Sequence, residues 1–229
     1  MQLLGLIGGT GWVSTVEYYR IINEETNRHC GGLNACNCIL YSFNYAEIDA
    51  LNRRNNLPGV AVLLTDAALK LQTAGAEGLV LCANTLHYFA DELQKQLHIP
   101  IIHIADATAA EINRQGLTTI GLLGTKTTME QDFYTKNLHQ AGISTLIPES
   151  AERDFIHNAI MTELLNSDFR PATKSRFLEI IAKLHNRGAQ GIVLGCTEIP
   201  LLIKQQDCDL PLFNTLEIHA RAAVDFALG

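Results

Sequence analysis

Two tetrapeptides place reactive and polar side chains at the same kind of position in this chain. Gly195-Cys196-Thr197-Glu198 follows the apolar run Ile192-Val193-Leu194, and Cys82-Ala83-Asn84-Thr85 follows Leu79-Val80-Leu81. Each run reads as a buried strand that leads into a helical stretch. Both tetrapeptides therefore fall at the carboxyl end of a strand, where open α/β sheets bind ligands. The Cys196 thiol is the group suited to proton transfer. Its ordinary pKa is about 8.5, and Thr197 with the amides that follow Cys196 is expected to lower it toward neutrality. Inverting a carbon centre by proton transfer removes a proton from one face and returns one to the other. Two acid/base groups on opposite walls meet that need.

The chain supplies two walls by repeating itself. Gly75-Ala-Glu-Gly-Leu-Val-Leu81 matches Gly188-Ala-Gln-Gly-Ile-Val-Leu194, Gly5-Leu-Ile-Gly8 matches Gly121-Leu-Leu-Gly124, and Ile99-Pro-Ile101 matches Leu210-Pro-Leu212. The three matches run in the same order at a nearly constant offset. They imply two pseudo-symmetric, Rossmann-like α/β lobes, with Cys196 and Ala83 as mates across a cleft between them. The expected lobes are residues 1–98 plus 210–229 and residues 99–209.

The elements that carry these turns alternate in type, which implies βαβ units with mostly parallel sheets. Strands are expected over residues 2–8, Cys36 to Phe43, Gly78 to Ala83, Ile99 to Ile104, Thr118 to Leu123, Ile143 to Ile147, Ile192 to Gly195 and Leu210 to Phe213. A first helix is expected from about Ser14, and others over 60–74, 86–97, 106–115, 128–141, 150–166, 173–187 and 215–228.

With these residues in view, the chain resembles the aspartate/glutamate racemase family over nearly its full length. The matching phrases are GLIGGTGW at the start, VLCANTLH after the third strand, LLGTKTTMEQDFY in the middle and VLGCTEIP near the end. The phrases Ile104 to Thr108 and Gly124 to Tyr134 are closest to the L-aspartate/glutamate-specific subgroup. The resemblance implies a homodimer, an active site between the lobes, no pyridoxal phosphate and catalysis by a thiol. It also implies that Cys196 is the base for the L-enantiomer. Most of the family carry a cysteine before the Asn-Thr pair, where this chain has Ala83. Alanine neither gives nor takes a proton, so either a water or hydroxyl on the Ala83 side acts as acid or that face is inert. Cys82 lies one residue early, faces the other way on a strand, and reads as core.

A dicarboxylate amino acid needs hydrogen-bond donors at both ends. The turn Gly8-Gly9-Thr10-Gly11, followed by a helix capped at Ser14 or Thr15, offers amides from Gly9 and Thr10. The G-x-G-x-x-G dinucleotide pattern is not met, because Ser14 stands at its last glycine. Its repeat mate supplies Thr125, Thr127 and Thr128. The resemblance assigns Asn84, Thr85 and Thr197 to the α-carboxylate and an arginine near Arg53-Arg54 to the distal one. A guanidinium can bind that group in two-pronged fashion, although a solvated basic pair accounts for the two arginines equally well. A family lysine has Asn166 near its position, with Lys174 and Arg176 as weaker matches. Glu198 reads as a cap or buffer, and His87 as structural.

Composition narrows the function further. About 47% of the residues are hydrophobic, 18% are charged and the net charge is -7, so nucleic acid and anionic membranes are poor partners. The amino-terminal MQLLGLIGG, an apolar run broken by glycines, is expected to be neither a signal peptide nor a membrane span. Six cysteines in a well-cored chain of 229 residues suggest a reducing cytoplasm. The histidines lack metal-ligand spacing, and no metal is expected. A malonate-type decarboxylase, which needs one protonation and one cysteine, is the alternative enzyme. A non-catalytic binder of acidic amino acids is the alternative outside enzymology.

Overall fold

A computed structural model describes residues 1–229. The chain forms two compact units, Met1–His103 with His219–Gly229, and Ile104–Ile218. In the first, β1 (Leu4–Gly8), β2 (Cys38–Ser42), β3 (Gly78–Leu81) and β4 (Ile101–Ile102) build a parallel sheet of order β2-β1-β3-β4. In the second, β5 (Thr119–Gly124), β6 (Ser144–Leu146), β7 (Ile192–Gly195) and β8 (Leu212–Asn214) repeat that order as β6-β5-β7-β8. The inner strands β1, β3 and β7 are buried at every residue, which is why they read as unbroken apolar runs rather than alternating ones. The edge strand β2 is half-exposed.

The helices of the first unit are α1 (Trp12–Cys30), α2 (Tyr45–Arg53), α3 (Leu57–Thr73) and α4 (Ala90–Gln94). Those of the second are α5 (Ile104–Arg114), α6 (Lys126–Glu130), α7 (Asp132–Gln140), α8 (Ser150–Thr162), α9 (Pro171–Asn186) and α10 (Ile199–Leu202). The last helix, α11 (Thr215–Leu228), starts in the second unit and ends in the first. Each unit has its own core. Leu64, Leu71, Leu79 and Leu81 pack together in the first, and Leu122, Phe177, Ile180 and Val193 in the second.

Several expected boundaries move. The expected lobe limits at 98 and 210 give way to unit limits at 103 and 218, because β4 hydrogen-bonds to β3 and β8 to β7, closing the sheet that precedes each. Helix α1 starts at Trp12 with Gly11 as its cap residue, and neither Ser14 nor Thr15 caps it. Both hydroxyls instead donate back to the Gly11 carbonyl, at 2.8 and 3.0 Å. The helix expected over 86–97 is a 3-10 turn, Asn84–Phe89, running into the short α4. The helix expected over 128–141 breaks at Gln131, which is extended. Helix α2, capped by the Asn44 side chain accepting from the Ala46 amide, and the four-residue α10 stood outside the expected set. No helix is long and apolar enough to cross a membrane.

Candidate active site

In the second unit the ends of β5 and β7 are pressed together. Gly124 and Gly195 are register partners, and a Cβ on Gly124 would lie 2.8 Å from the Gly195 carbonyl. Only glycine permits that approach, and it sets the turn after β5 beside the turn after β7. Cys196, Thr197 and Glu198 are all buried there. The Cys196 thiol donates to Glu198 Oε2 at 3.0 Å, and the Thr197 hydroxyl donates to the same oxygen at 2.9 Å.

This geometry overturns the expectation of an acidified thiol. Burial pushes the Cys196 thiol well above its ordinary value, and the Glu198 carboxylate adds to the shift by its charge and by accepting the S–H bond. The amides of Glu198 and Ile199 pull the other way and lose. The helix behind them, α10, has four residues, too few for a substantial dipole. At rest the site is thus a protonated thiol clasped by a buried carboxylate. Glu198 is its direct partner rather than a mere cap. The sequence signal was a carboxylate two residues past the cysteine at a strand end.

The neighbouring turn holds the threonines. The Thr125 side chain accepts from the Thr128 amide at 3.3 Å, and the two hydroxyls lie 3.2 Å apart. Thr128 is fully buried and braces the turn, Thr125 is half-buried and Thr127 is exposed. The Lys126 ammonium pairs with Asp154, and its amide donates to His157 Nδ1 at 3.5 Å.

The equivalent place in the first unit joins the turns after β1 and β3, and the Cys82 amide bonds the Ile7 carbonyl at 2.8 Å. Gly9 has φ +86°, and a Cβ there would lie 2.2 Å from the Phe43 carbonyl oxygen. Its amide is already engaged by the Thr15 hydroxyl at 3.0 Å, so the expected anion cradle has one donor fewer. The Thr10 hydroxyl is buried with no hydrogen-bond partner. Ala83 is half-buried and extended, Asn84 is buried and Thr85 is half-buried. Cys82 is buried, its thiol turned toward the Val80 carbonyl at 3.8 Å and held protonated by burial, as suits a core cysteine. The His87 ring bonds the Ala83 carbonyl at 3.0 Å.

Arg53 ends α2 with its side chain 79% exposed and paired to Asp49 at 2.7 Å. Arg54 is exposed as well, as is Asn166. Lys174 pairs with Asp207 at 2.7 Å and Arg176 with Glu179 at 2.6 Å. No group of three or more His, Cys, Asp or Glu side chains is arranged to hold a metal ion.

Two α/β units, each with a four-stranded parallel sheet of the same strand order, form the two-lobed fold of racemase-type enzymes. The model of the Asp/Glu/hydantoin racemase family matches residues 7–223, and the chain belongs to that family. A Yersinia pestis structure, provisionally designated an Asp/Glu racemase, is 43% identical with a TM-score of 0.94 and covers 100% of both chains. An aspartate racemase homologue from Pyrococcus horikoshii OT3 is 35% identical with a TM-score of 0.85, again over 100% of both chains. The broad specificity amino-acid racemase RacX of Bacillus subtilis (strain 168) is 22% identical over 166 residues, 72% of this chain and 71% of that one.

Proposed function

We propose that the chain racemises acidic amino acids, L-aspartate or L-glutamate, by 1,1-proton transfer. The observation that carries the reading is the buried Cys196–Glu198 pair at the end of β7. Glu198 accepts the thiol proton as the substrate settles. The thiolate so formed takes the α-proton, and a water or hydroxyl on the Ala83 side returns a proton to the opposite face. The cycle closes when Glu198 releases the proton it took to the bulk, from which the donor on the Ala83 side recovers its own. Cys196 keeps the α-proton as its thiol hydrogen. General acid–base catalysis of this kind contributes about two to four decades in rate. Oriented amides and hydroxyls stabilise the carbanion.

In this reading Asn84, Thr85 and Thr197 receive the α-carboxylate. Gly9 and the unsatisfied Thr10 hydroxyl line the same turn region, with Thr125, Thr127 and Thr128 in the other unit. Arg53 takes the distal carboxylate by exchanging its partner Asp49 for the substrate, a swap a highly exposed side chain makes at little cost. No pyridoxal phosphate takes part. The active assembly is a homodimer, and the setting is a reducing cytoplasm, in keeping with six free cysteines.

The test is proton NMR with L-aspartate and then L-glutamate in deuterium oxide, beside a chirality assay. Loss of the α-proton signal with formation of the D-form is expected. Loss with retained L-form would leave Cys196 working alone with an inert Ala83 face. No loss on either substrate, together with carbon dioxide release from a malonate or with binding alone, would replace this reading by the decarboxylase or the binder.

A further inference from the structure

Against the Ala83 turn lies a cluster of imidazoles that the mechanism above does not use. His87 belongs to the 3-10 turn that starts at Asn84, and it is 1% exposed. A carbonyl only accepts, so His87 Nδ1 carries the hydrogen in its 3.0 Å bond to the Ala83 oxygen. The rings of His103 and His219 meet His87 edge-on, with centroids 4.7 and 5.2 Å away.

His219 is fixed by the same accounting. Its Nε2 donates to the Ile102 carbonyl at 2.6 Å, which leaves Nδ1 to accept the Tyr18 hydroxyl at 2.8 Å. Tyr18 and His219 are both fully buried. The segment after β4 through His103 and α11 through His219 therefore converge on the ring that holds Ala83, and α1 braces His219 through Tyr18. Both points where the chain leaves and re-enters this unit, His103 and His219, carry a member of the cluster.

We propose that His87 is a positioning residue: its bond to the Ala83 carbonyl fixes the Ala83-Asn84-Thr85 turn for substrate. The proposal rests on the racemase reading for what the turn binds. Its physical basis is that His87 is buried, so a charge on its ring would stand away from water against two other imidazoles. A proton on His219 Nδ1 would also force the Tyr18 hydroxyl to turn round and accept. The groups acting on His87 are the His103 and His219 rings and the carbonyls of Ala83 and Ile102. Burial and the two rings oppose its protonation more than the carbonyls favour it.

The experiment compares His87→Leu and His87→Gln with the parent protein. Backbone amide exchange of residues 83–89 is read against that of β1 and β3, and α-hydrogen exchange of L-aspartate and L-glutamate is followed from pH 4 to 9. His87→Leu is expected to lose protection in the turn while β1 and β3 keep theirs. Its KM should rise and its kcat fall, together by on the order of ten- to a hundredfold in kcat/KM. His87→Gln, whose side-chain amide can donate to the Ala83 carbonyl, should regain most of the activity at neutral pH. Lacking a titratable ring, it should extend the acid limb of kcat/KM to lower pH. Unchanged protection and kinetics in His87→Leu would overturn the proposal. So would a His87→Gln variant as impaired as His87→Leu with the parent's acid limb. Should the parent protein exchange no α-hydrogen, the substrate reading fails, while turn protection still decides the role of His87.

Discussion

The turn after β7 and the turn after β3 occupy the same place in two sheets of the same strand order, yet they carry opposite chemistry. At the first, a thiol faces a carboxylate two residues on, both buried. At the second, a methyl group stands where the thiol would be, the neighbouring Cys82 thiol is sealed in the core, and His87 reaches back to the turn's own carbonyl. The repeat thus sets equivalent positions, and the side chains set what each can do. In the proposed reading the turn after β7 moves a proton and the turn after β3 holds still. The surroundings differ in the same sense. The second unit buries acids at its turn, and the first buries bases behind its own.

The largest effect should come from removing the one proton carrier. Cys196→Ala should lower α-hydrogen exchange by about two to four decades. Exchange at the parent rate would show that the turn after β7 does not carry the proton. A sharper probe is Glu198→Gln, which keeps the shape and removes the charge. If the carboxylate takes the thiol proton, exchange should fall by about two decades. Alkylation of Cys196 by iodoacetamide at pH 8 should meanwhile become faster. The sign follows from the causes: the negative charge and the accepted hydrogen bond both hold the thiol protonated, so their loss frees thiolate at a lower pH. Slower alkylation, or exchange that rises along with it, would rule out the relay.

Much of this contrast was legible in the residues, and the remainder failed for physical reasons. Parallel strands buried on both faces are unbroken apolar runs, so β7 was found at its observed limits, Ile192–Gly195. The equivalence of Cys196 and Ala83 followed from the repeat alone. What the residues hid was burial. The thiol was expected to acidify because a strand-to-helix turn offers amides, but the desolvation that outweighs them depends on packing from distant segments. Glu198 reads from sequence as a cap or buffer, and in a helix of four residues there is little to cap, which leaves its contact with the thiol. Ser14 and Thr15 misled in the same way, since their hydroxyls turn inward to Gly11. The lobe limits slipped because β4 has two residues and β8 three, too short to show by pattern which sheet claims them.

The buried bases of the first unit make a prediction about stability. His219 is pushed down to about 4, chiefly by burial. Its ordinary value is about 6.5, so between those two pH values the unfolded chain binds a proton that the folded chain refuses. Stability should therefore decline as the pH falls from about 6.5, with the decline due to this ring ending near pH 4. The shift corresponds to about 3 kcal/mol, with His87 adding in the same direction. Urea unfolding at half-unit pH intervals measures it. His219→Gln should flatten the slope, and a parent protein equally stable at pH 6.5 and 4.5 would contradict a neutral, buried cluster.

The smallest effect asked for is a gain. Ala83→Cys places a thiol on the wall that lacks one. The backbone at Ala83 is extended, with φ -156° and ψ 142°, a conformation any residue adopts without strain. The position is half-buried rather than sealed, so the new thiol avoids much of the desolvation that raises Cys196 and should ionise nearer its ordinary value. It has no counterpart of Glu198, because the residue two positions on is Thr85. A thiolate without a relay partner must exchange its proton with water directly, which limits what the substitution can add. Exchange of the D-enantiomer should accordingly rise by only about tenfold, against the two to four decades that Cys196 supplies. Thr85→Glu on top of Ala83→Cys would recreate the cysteine–carboxylate spacing of the other turn. A further rise in that double variant would make the carboxylate, and not the thiol alone, the feature that separates the two walls. Because Thr85 also receives the α-carboxylate, the double variant is read by kcat at saturating substrate. A value there no better than that of Ala83→Cys would confine the difference to the thiol.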